Sequence, residues 1–206
     1  MASGRARICA TVAGIVAGMC LLGARANAAL SVSLGQLSPG GTATQFGYVI
    51  DLAPVSDEIA PGDFFRVYDF ARYIPGSASA PSGWTASISL SDSPPPGIVL
   101  LHGDDPTLDN LTFTYAGSTP ILGGTLGLEI GPFSATTANL TPGPPPMTSK
   151  DFVASITNAI YPSGGLNGPT FVSEGTVAVP APVPEPASLG LLALATPLLL
   201  IRRRAT

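Results

Sequence analysis

The chain has 206 residues, of which only 11% are charged, and it contains 24 glycines and 22 prolines. A chain of this length holds one domain with its own core, and this composition excludes an architecture of long, solvated helices. Of the 13 acidic residues all but Glu185 lie in the stretch Asp51–Glu174, where only Arg66, Arg72 and Lys150 oppose them, so we expect the body to repel nucleic acid.

The first 28 residues have the layout of a secretory signal peptide. Met1–Arg7 carries two arginines and no acid, residues 8–22 are apolar or small, and Ala26 and Ala28 form the small-x-small pattern that signal peptidase cleaves. A first core helix or a retained anchor is the alternative, but the run is short for either. We expect an exported protein whose mature chain begins at Ala29.

Both cysteines of the chain, Cys9 and Cys20, lie within this predicted signal peptide. The exported domain therefore has no disulfide, no catalytic thiol and no zinc–thiolate site, and its stability must come from packing. A lipoprotein signal is disfavoured because the bulky Met19 precedes Cys20, where lipidation requires a small residue.

Alternating apolar and polar residues run through the body and are typical of half-buried strands. The clearest stretches are 46–52, 84–90 and 111–115; further candidates are 31–37, 64–73, 97–101, 121–130, 150–161 and 170–179. The stretch 150–161 also fits a helical stripe, and its context favours a strand. Turn clusters rich in Gly and Pro separate these segments. We predict an all-β fold, a single antiparallel β-sandwich of jelly-roll-like type over residues 29–179.

This body contains few candidates for catalytic or metal-binding residues. His102 is its only histidine and no Gly-x-Ser-x-Gly motif is present, so a secreted hydrolase is the least favoured of the functions considered. Asp104, Asp105 and Asp109 lie in one loop with oxygen ligands that suit calcium, although the spacing is not that of an EF-hand. They are weak metal candidates beside the alternative of a solvated acidic turn, and we predict no cofactor and no catalytic residue.

Two roles for the body stay open. A structural or adhesive surface protein needs only an exported, acidic β-domain without cysteine, which is what the composition describes. A carbohydrate-binding module is the alternative, because Trp84, Tyr73 or Tyr115 could stack on a sugar ring. The alternation nevertheless places Trp84 and Tyr115 on the apolar face, which favours the core for both.

The C-terminal residues have a separate organisation. Residues 180–186 form a proline-rich linker that should stay extended. The uncharged run 187–201 makes a helix of about 22 Å, short against the roughly 30 Å of a bilayer core, and Pro197 weakens it. We predict a marginal transmembrane helix, with the tail 202–206 held in the cytoplasm by Arg202, Arg203 and Arg204.

Pro184, Glu185 and Pro186, followed by the apolar run and the arginines, resemble the PEP-CTERM sorting signal of exported proteins in Gram-negative bacteria that make exopolysaccharide. The resemblance implies that the tail holds the protein in the inner membrane until exosortase acts near the triplet. It also implies passage to the cell surface or extracellular matrix, where exopolysaccharide is a further candidate partner. Residues 62–70, 83–84 and 110–115 resemble bodies of other PEP-CTERM proteins of unassigned role, which implies no activity.

Overall fold

A computed structural model describes residues 30–53, 57–141, 143–158 and 170–183. Several of the predicted features lie outside the described residues: the signal peptide 1–28 with Ala26 and Ala28, the triplet Pro184, Glu185 and Pro186, the apolar run 187–201, and Arg202, Arg203 and Arg204. Within the described ranges, no helix has the length and apolar character needed to cross a membrane.

The described chain consists of strands joined by turns and loops. In chain order the strands are β1 (Leu30–Pro39), β2 (Ala43–Leu52), β3 (Asp57–Ile59), β4 (Phe64–Phe70), β5 (Trp84–Ser89), β6 (Asp109–Tyr115), β7 (Ile121–Leu122), β8 (Leu128–Ala138), β9 (Met147–Asn158) and β10 (Thr170–Pro180). This confirms the all-β prediction for the part of the chain that the structure describes.

The strands form two antiparallel sheets that pack as a sandwich. The small sheet has the order β1-β2-β8, and the large sheet has the order β5-β6-β4-β9-β3-β7 with β10 paired to β9. A jelly roll divides eight strands between its two sheets, whereas here the division is three and seven.

An aromatic cluster fills the space between the sheets. The ring of Phe133, from the small sheet, lies 4.8 Å from Phe65, 4.9 Å from Trp84 and 5.3 Å from Phe113 of the large sheet, measured between centroids. Phe65 and Phe113 stack at 5.0 Å. Edge-to-face and stacked contacts of this kind each add about 0.5–1.5 kcal/mol beyond burial of the ring area.

Two predicted strands differ from the structure. The run 97–101 is a loop, because its first residues belong to a turn in which Ile98 N donates to Pro95 O and Gly97 has a φ of +88°. The run 121–130 is split into β7 and the start of β8 by Gly124 and Gly127, whose positive φ values of 65° and 82° end the extended conformation. The stretch 150–161, which also fits a helical pattern, is a strand as predicted as far as residue 158, where it forms part of β9.

Most sheet edges are covered by neighbouring chain. The segment 72–79 runs along the outer edge of β8, where the amides of Ser79 and Ser134 each donate to the other's carbonyl oxygen at 2.8 Å. At the opposite side of the sandwich, β1 lies against β10, and the amide of Leu30 donates to Ser173 Oγ at 3.3 Å.

Candidate binding surface

A long connection between β5 and β6, residues 90–108, is held over the outer face of the large sheet. Ordered loops longer than about 12–15 residues without secondary structure of their own are uncommon and are usually functional. The loop is fixed by hydrogen bonds and an ion pair with side chains of the sheet, most of them buried, and this arrangement defines the candidate surface.

The first of these anchors is Asp69, a fully buried carboxylate in β4. A bulge in the pairing of β4 with β6 and a φ of 56° place Asp69 in the left-handed region, which aspartate tolerates better than most residues. Its Oδ1 accepts from the amide of Asp105 at 2.9 Å and its Oδ2 from Lys150 Nζ at 2.7 Å. The buried negative charge is therefore paired with one cation while it fixes the loop.

The second anchor is Asn110, which is also fully buried. Its Oδ1 accepts from the amide of Asp69 at 2.9 Å, and its Nδ2 donates to Asp104 Oδ1 at 2.9 Å. The other oxygen of Asp104 accepts from the amide of Asp92 at 2.9 Å. The two ends of the loop are thus tied to each other and to β6.

The third anchor is Arg66, whose guanidinium links β4 to the start of the loop. Its Nη2 lies 3.2 Å from Asp92 Oδ1, and its Nε donates to Thr112 Oγ1 at 2.8 Å. The guanidinium carbon is 5.5 Å from the centre of the Phe64 ring and 5.8 Å from that of Tyr68. Together with the ion pair and the hydrogen bond, these cation–π contacts hold the planar guanidinium in place.

The fourth anchor joins His102 to Asp151, a carboxylate of β9 that is 4% exposed. Asp151 accepts from the His102 amide at 2.7 Å, and its other oxygen lies 3.0 Å from His102 Nδ1. This is how a carboxylate orients a catalytic histidine, but no hydroxyl among the described residues is hydrogen-bonded to the other ring nitrogen. Because both oxygens serve the same loop residue, the arrangement acts as a clamp on the loop.

A groove of about 610 Å³ lies beside this clamp. It is lined by Val99, Leu100, Leu101, Asp151, Phe152, Glu174, Gly175 and Thr176. Gly175 lies directly opposite Phe152, and a Cβ at Gly175 would come within 2.6 Å of that ring. Glycine therefore lets the Phe152 ring lie against β10 and shape the groove floor.

Two of the apolar side chains that line the groove are also largely exposed to solvent. Val99 is 86% exposed and Leu101 is 80% exposed. Their exposure is not the result of a loose loop, because the amides of His102 and Asp105 close by are hydrogen-bonded to buried carboxylates. The fold presents these side chains in a fixed place.

The weak metal candidates Asp104, Asp105 and Asp109 lie near one another but do not share a centre. Asp104 bonds to Asp92 and Asn110, while Asp105 Oδ1 accepts from the amide of Thr107 at 3.0 Å and from its hydroxyl at 2.7 Å. Those bonds from Thr107 lower the pKa of Asp105, and burial raises the pKa of Asp109. In the described ranges no three His, Cys, Asp or Glu side chains form a group that could hold a metal ion.

The aromatic candidates for sugar stacking lie in or against the core. Trp84 and Tyr115 are 9% and 6% exposed and pack on each other with ring centroids 5.3 Å apart. Tyr73 is partly buried, packs against Phe70 at 6.3 Å, and its hydroxyl accepts from the amide of Ala78. None of these three rings offers an open face like that of a sugar platform.

Two buried acidic side chains, Glu58 and Asp63, lie near the other end of β9. Asp63 accepts hydrogen bonds from the amides of Ala60 and Thr157 and from the Thr157 hydroxyl, whereas Glu58 Oε1 is buried with no hydrogen bond. Burial, followed by the charge of Asp63, raises the pKa of Glu58. Burial also raises the pKa of Asp63, although its three hydrogen bonds act in the opposite direction.

Sequence reasoning missed Asp69, Lys150 and Asp151 as parts of one site. The available signal was a charged residue inside an apolar strand, as in the run Tyr68-Asp69-Phe70, because a carboxylate is buried in such a place only with a partner. Comparison of the chain with protein-family models, curated proteins and solved structures finds no match.

Proposed function

We propose that this is an exported structural or adhesive protein of the bacterial cell surface or extracellular matrix, and that the loop 90–108 with its groove is the contact surface. The observation that carries the adhesive role is the exposure of Val99 and Leu101 on a loop that four side-chain anchors of the sheet hold in place. A fixed apolar patch loses little conformational entropy when a partner covers it.

The destination is proposed from the ends of the sequence. Signal peptidase removes residues 1–28, the run 187–201 stops in the inner membrane, and exosortase processes the chain near Pro184, Glu185 and Pro186. What supports this is the order of triplet, apolar run and arginines in the sequence. After processing, the body passes to the surface or matrix, where exopolysaccharide surrounds it.

We propose no catalytic role for the body. The described histidine, His102, is engaged by Asp151 through both its ring and its backbone amide, which supports a structural use of the pair. Carbohydrate binding is the alternative function, and the groove with Glu174 and Thr176 at its rim is where a sugar would have to bind. The burial of Trp84 and Tyr115 weighs against that alternative.

The adhesive role is tested by making the patch polar. The double variant Val99→Ser, Leu101→Ser should lower binding of the protein to isolated cell-surface matrix at least tenfold. A matched control replaces Leu122 and Leu126, which are 61% and 94% exposed near the other end of the sandwich, by serine. Equal binding of both double variants and the unaltered protein, at unchanged melting temperature, would remove the loop as the contact surface.

The sorting role is tested by changing the tail in fractionated cells. Replacing Pro184, Glu185 and Pro186 by alanines should leave signal-peptide removal normal and trap the mature protein in the inner membrane. Deleting 187–206 should instead yield a soluble periplasmic protein, because no stop-transfer segment remains. Neutral residues at Arg202, Arg203 and Arg204 should let the short span slip through the membrane. Surface delivery that is unaffected by the triplet change would contradict the proposal.

A further inference from the structure

Strand β5 is an edge of the large sheet, and in the described chain it pairs only with β6. Its backbone orientation follows from two hydrogen bonds: Ala116 N donates to Gly83 O at 2.7 Å, and Tyr115 N donates to Asp63 O on the far side of β6. Because the groups directed at a neighbour alternate along an antiparallel ladder, Thr85, Ser87 and Ser89 address β6. The N–H and C=O groups of Ala86 and Ile88 therefore point away from the sheet.

The outward groups of Ala86 and Ile88 have no hydrogen-bond partner among the described residues. The edges at β8, β1 and β10 are treated differently, since the segment 72–79 covers β8 and β1 lies against β10. Natural sheets protect free edges with charges, prolines, bulges or covering loops. Strand β5, with the sequence WTASIS and an unbroken register against β6, has none of the first three, and Ala86 is exposed.

We propose that β5 pairs antiparallel with β5 of a second copy of this chain, about a two-fold axis at Ser87. In this register each Ala86 exchanges both of its outward hydrogen bonds with the partner's Ile88, so that every free backbone group between them is used. Ser87 then lies opposite the partner's Ser87 in a non-hydrogen-bonded pair. The two large sheets become one continuous sheet through the dimer.

The neighbouring residues fit a second copy in this place. Leu90, 55% exposed just beyond the strand, lies where the start of the partner's β5 would cover it. The body is strongly acidic, but β5 contains no charge, so the interface brings no carboxylates into direct contact. Long-range repulsion between the two acidic bodies remains, and the pairing should therefore strengthen as ionic strength rises.

This inference is independent of export and of the groove, and the full chain tests it in detergent with Cys9 and Cys20 replaced by serine. Non-hydrogen-bonded antiparallel pairs have Cα atoms about 4.5 Å apart, within the roughly 4.4–6.8 Å that a disulfide spans. We expect Ser87→Cys to form a disulfide-linked dimer under mild oxidant. Ser33→Cys, on the exposed face of β1, is the matched control and should stay monomeric.

Charged substitutions at position 87 provide a second test of the same contact. Ser87→Lys and Ser87→Glu should each weaken dimerisation at least tenfold in sedimentation experiments, because like charges then face each other across the axis. An equimolar mixture of the two variants should recover the dimer, and mixing Ser33→Lys with Ser33→Glu should change nothing. A monomeric Ser87→Cys chain with a normal melting temperature, equal cross-linking at Ser33, or no recovery in the mixture would overturn the proposal.

Discussion

The two faces of the large sheet are built by opposite means. Its inner face is apolar, with Phe65, Trp84 and Phe113 packed around Phe133 of the small sheet. Its outer face holds buried charged and amide groups beneath the loop 90–108, and hydrogen bonds join these groups to one another and to the loop.

This difference separates the residues that stabilise the fold from those that position the loop 90–108. Burial of apolar area is non-directional and is the dominant favourable contribution to folding, above all in a domain without disulfides. Buried carboxylates such as Asp69 and Asp151 contribute less net stability, because desolvation offsets their pairing, but they determine where the loop lies. Changes on the inner face should therefore affect global unfolding, and changes on the outer face should affect the loop first.

Trp84→Ala should have the largest effect, a loss of about 3 kcal/mol in the free energy of unfolding, because it removes a buried aromatic that contacts three rings. Chemical denaturation measures this loss. Thr85→Ala, an exposed neighbour in the same strand, should change stability by less than about 0.5 kcal/mol. A Trp84→Ala protein as stable as the unaltered one would place the ring outside the core.

Asp69→Ala should cost about 2–3 kcal/mol, because it leaves Lys150 and the amide of Asp105 without their acceptor. Asp69→Asn is the matched variant, since asparagine also tolerates the positive φ and keeps an acceptor. In denaturation experiments, adding Lys150→Met to Asp69→Asn should recover part of the stability that Asp69→Asn alone loses. Additive effects of the two single changes would show that the ion pair contributes nothing.

Asp151→Ala should cost about 1–2 kcal/mol globally and affect the loop more specifically. Hydrogen exchange at the His102 amide should accelerate at least tenfold, because its acceptor is gone, while amides of β4 stay protected. His102→Ala keeps the hydrogen bond from the backbone amide of residue 102 to Asp151, so hydrogen exchange at that amide should be nearly unchanged. Equal acceleration in the two variants would assign the clamp to the imidazole instead.

Glu58→Gln should have the smallest effect and the clearest pH dependence. The pKa of Glu58 is raised in the folded state, so the folded protein binds the proton more tightly than the unfolded chain does. Its ionisation therefore lowers stability as the pH rises from the unfolded pKa through the folded one. The variant should melt higher than the unaltered protein at pH 7, and the difference should shrink toward pH 4. A difference that grows on acidification would reverse the assigned direction.

The inner face could be predicted from the sequence, while the outer face could not. Alternation in 46–52 and 111–115 identifies β2 and β6, because each inward side chain is apolar whatever its partner is. The pairing of Asp69 with Lys150 joins residues far apart in the chain, and no local pattern reports it. The apolar run 97–101 was predicted as a strand because periodicity does not distinguish an apolar face that is buried from one that is presented to solvent.

Short elements were also beyond the reach of sequence patterns. Strands β3 and β7 have three and two residues, too few for a repeat of period two to be recognised as a strand pattern. The sequence groups Asp104, Asp105 and Asp109 as weak metal candidates, whereas Asp104 accepts from the Asp92 amide and the Asn110 side chain, and Asp105 accepts from Thr107. The position of Asn110 depends on the sheet beneath the loop, which only the three-dimensional fold supplies.

The proposed export of the body and its release from the membrane tail are checked by intact mass spectrometry of the protein recovered from the cell surface. We expect a mature chain that begins at Ala29 and ends at or near Pro184–Pro186, without the apolar run and the arginines. Recovery of a surface protein that still carries residues 1–28, or that ends at an intact Thr206, would overturn the proposal.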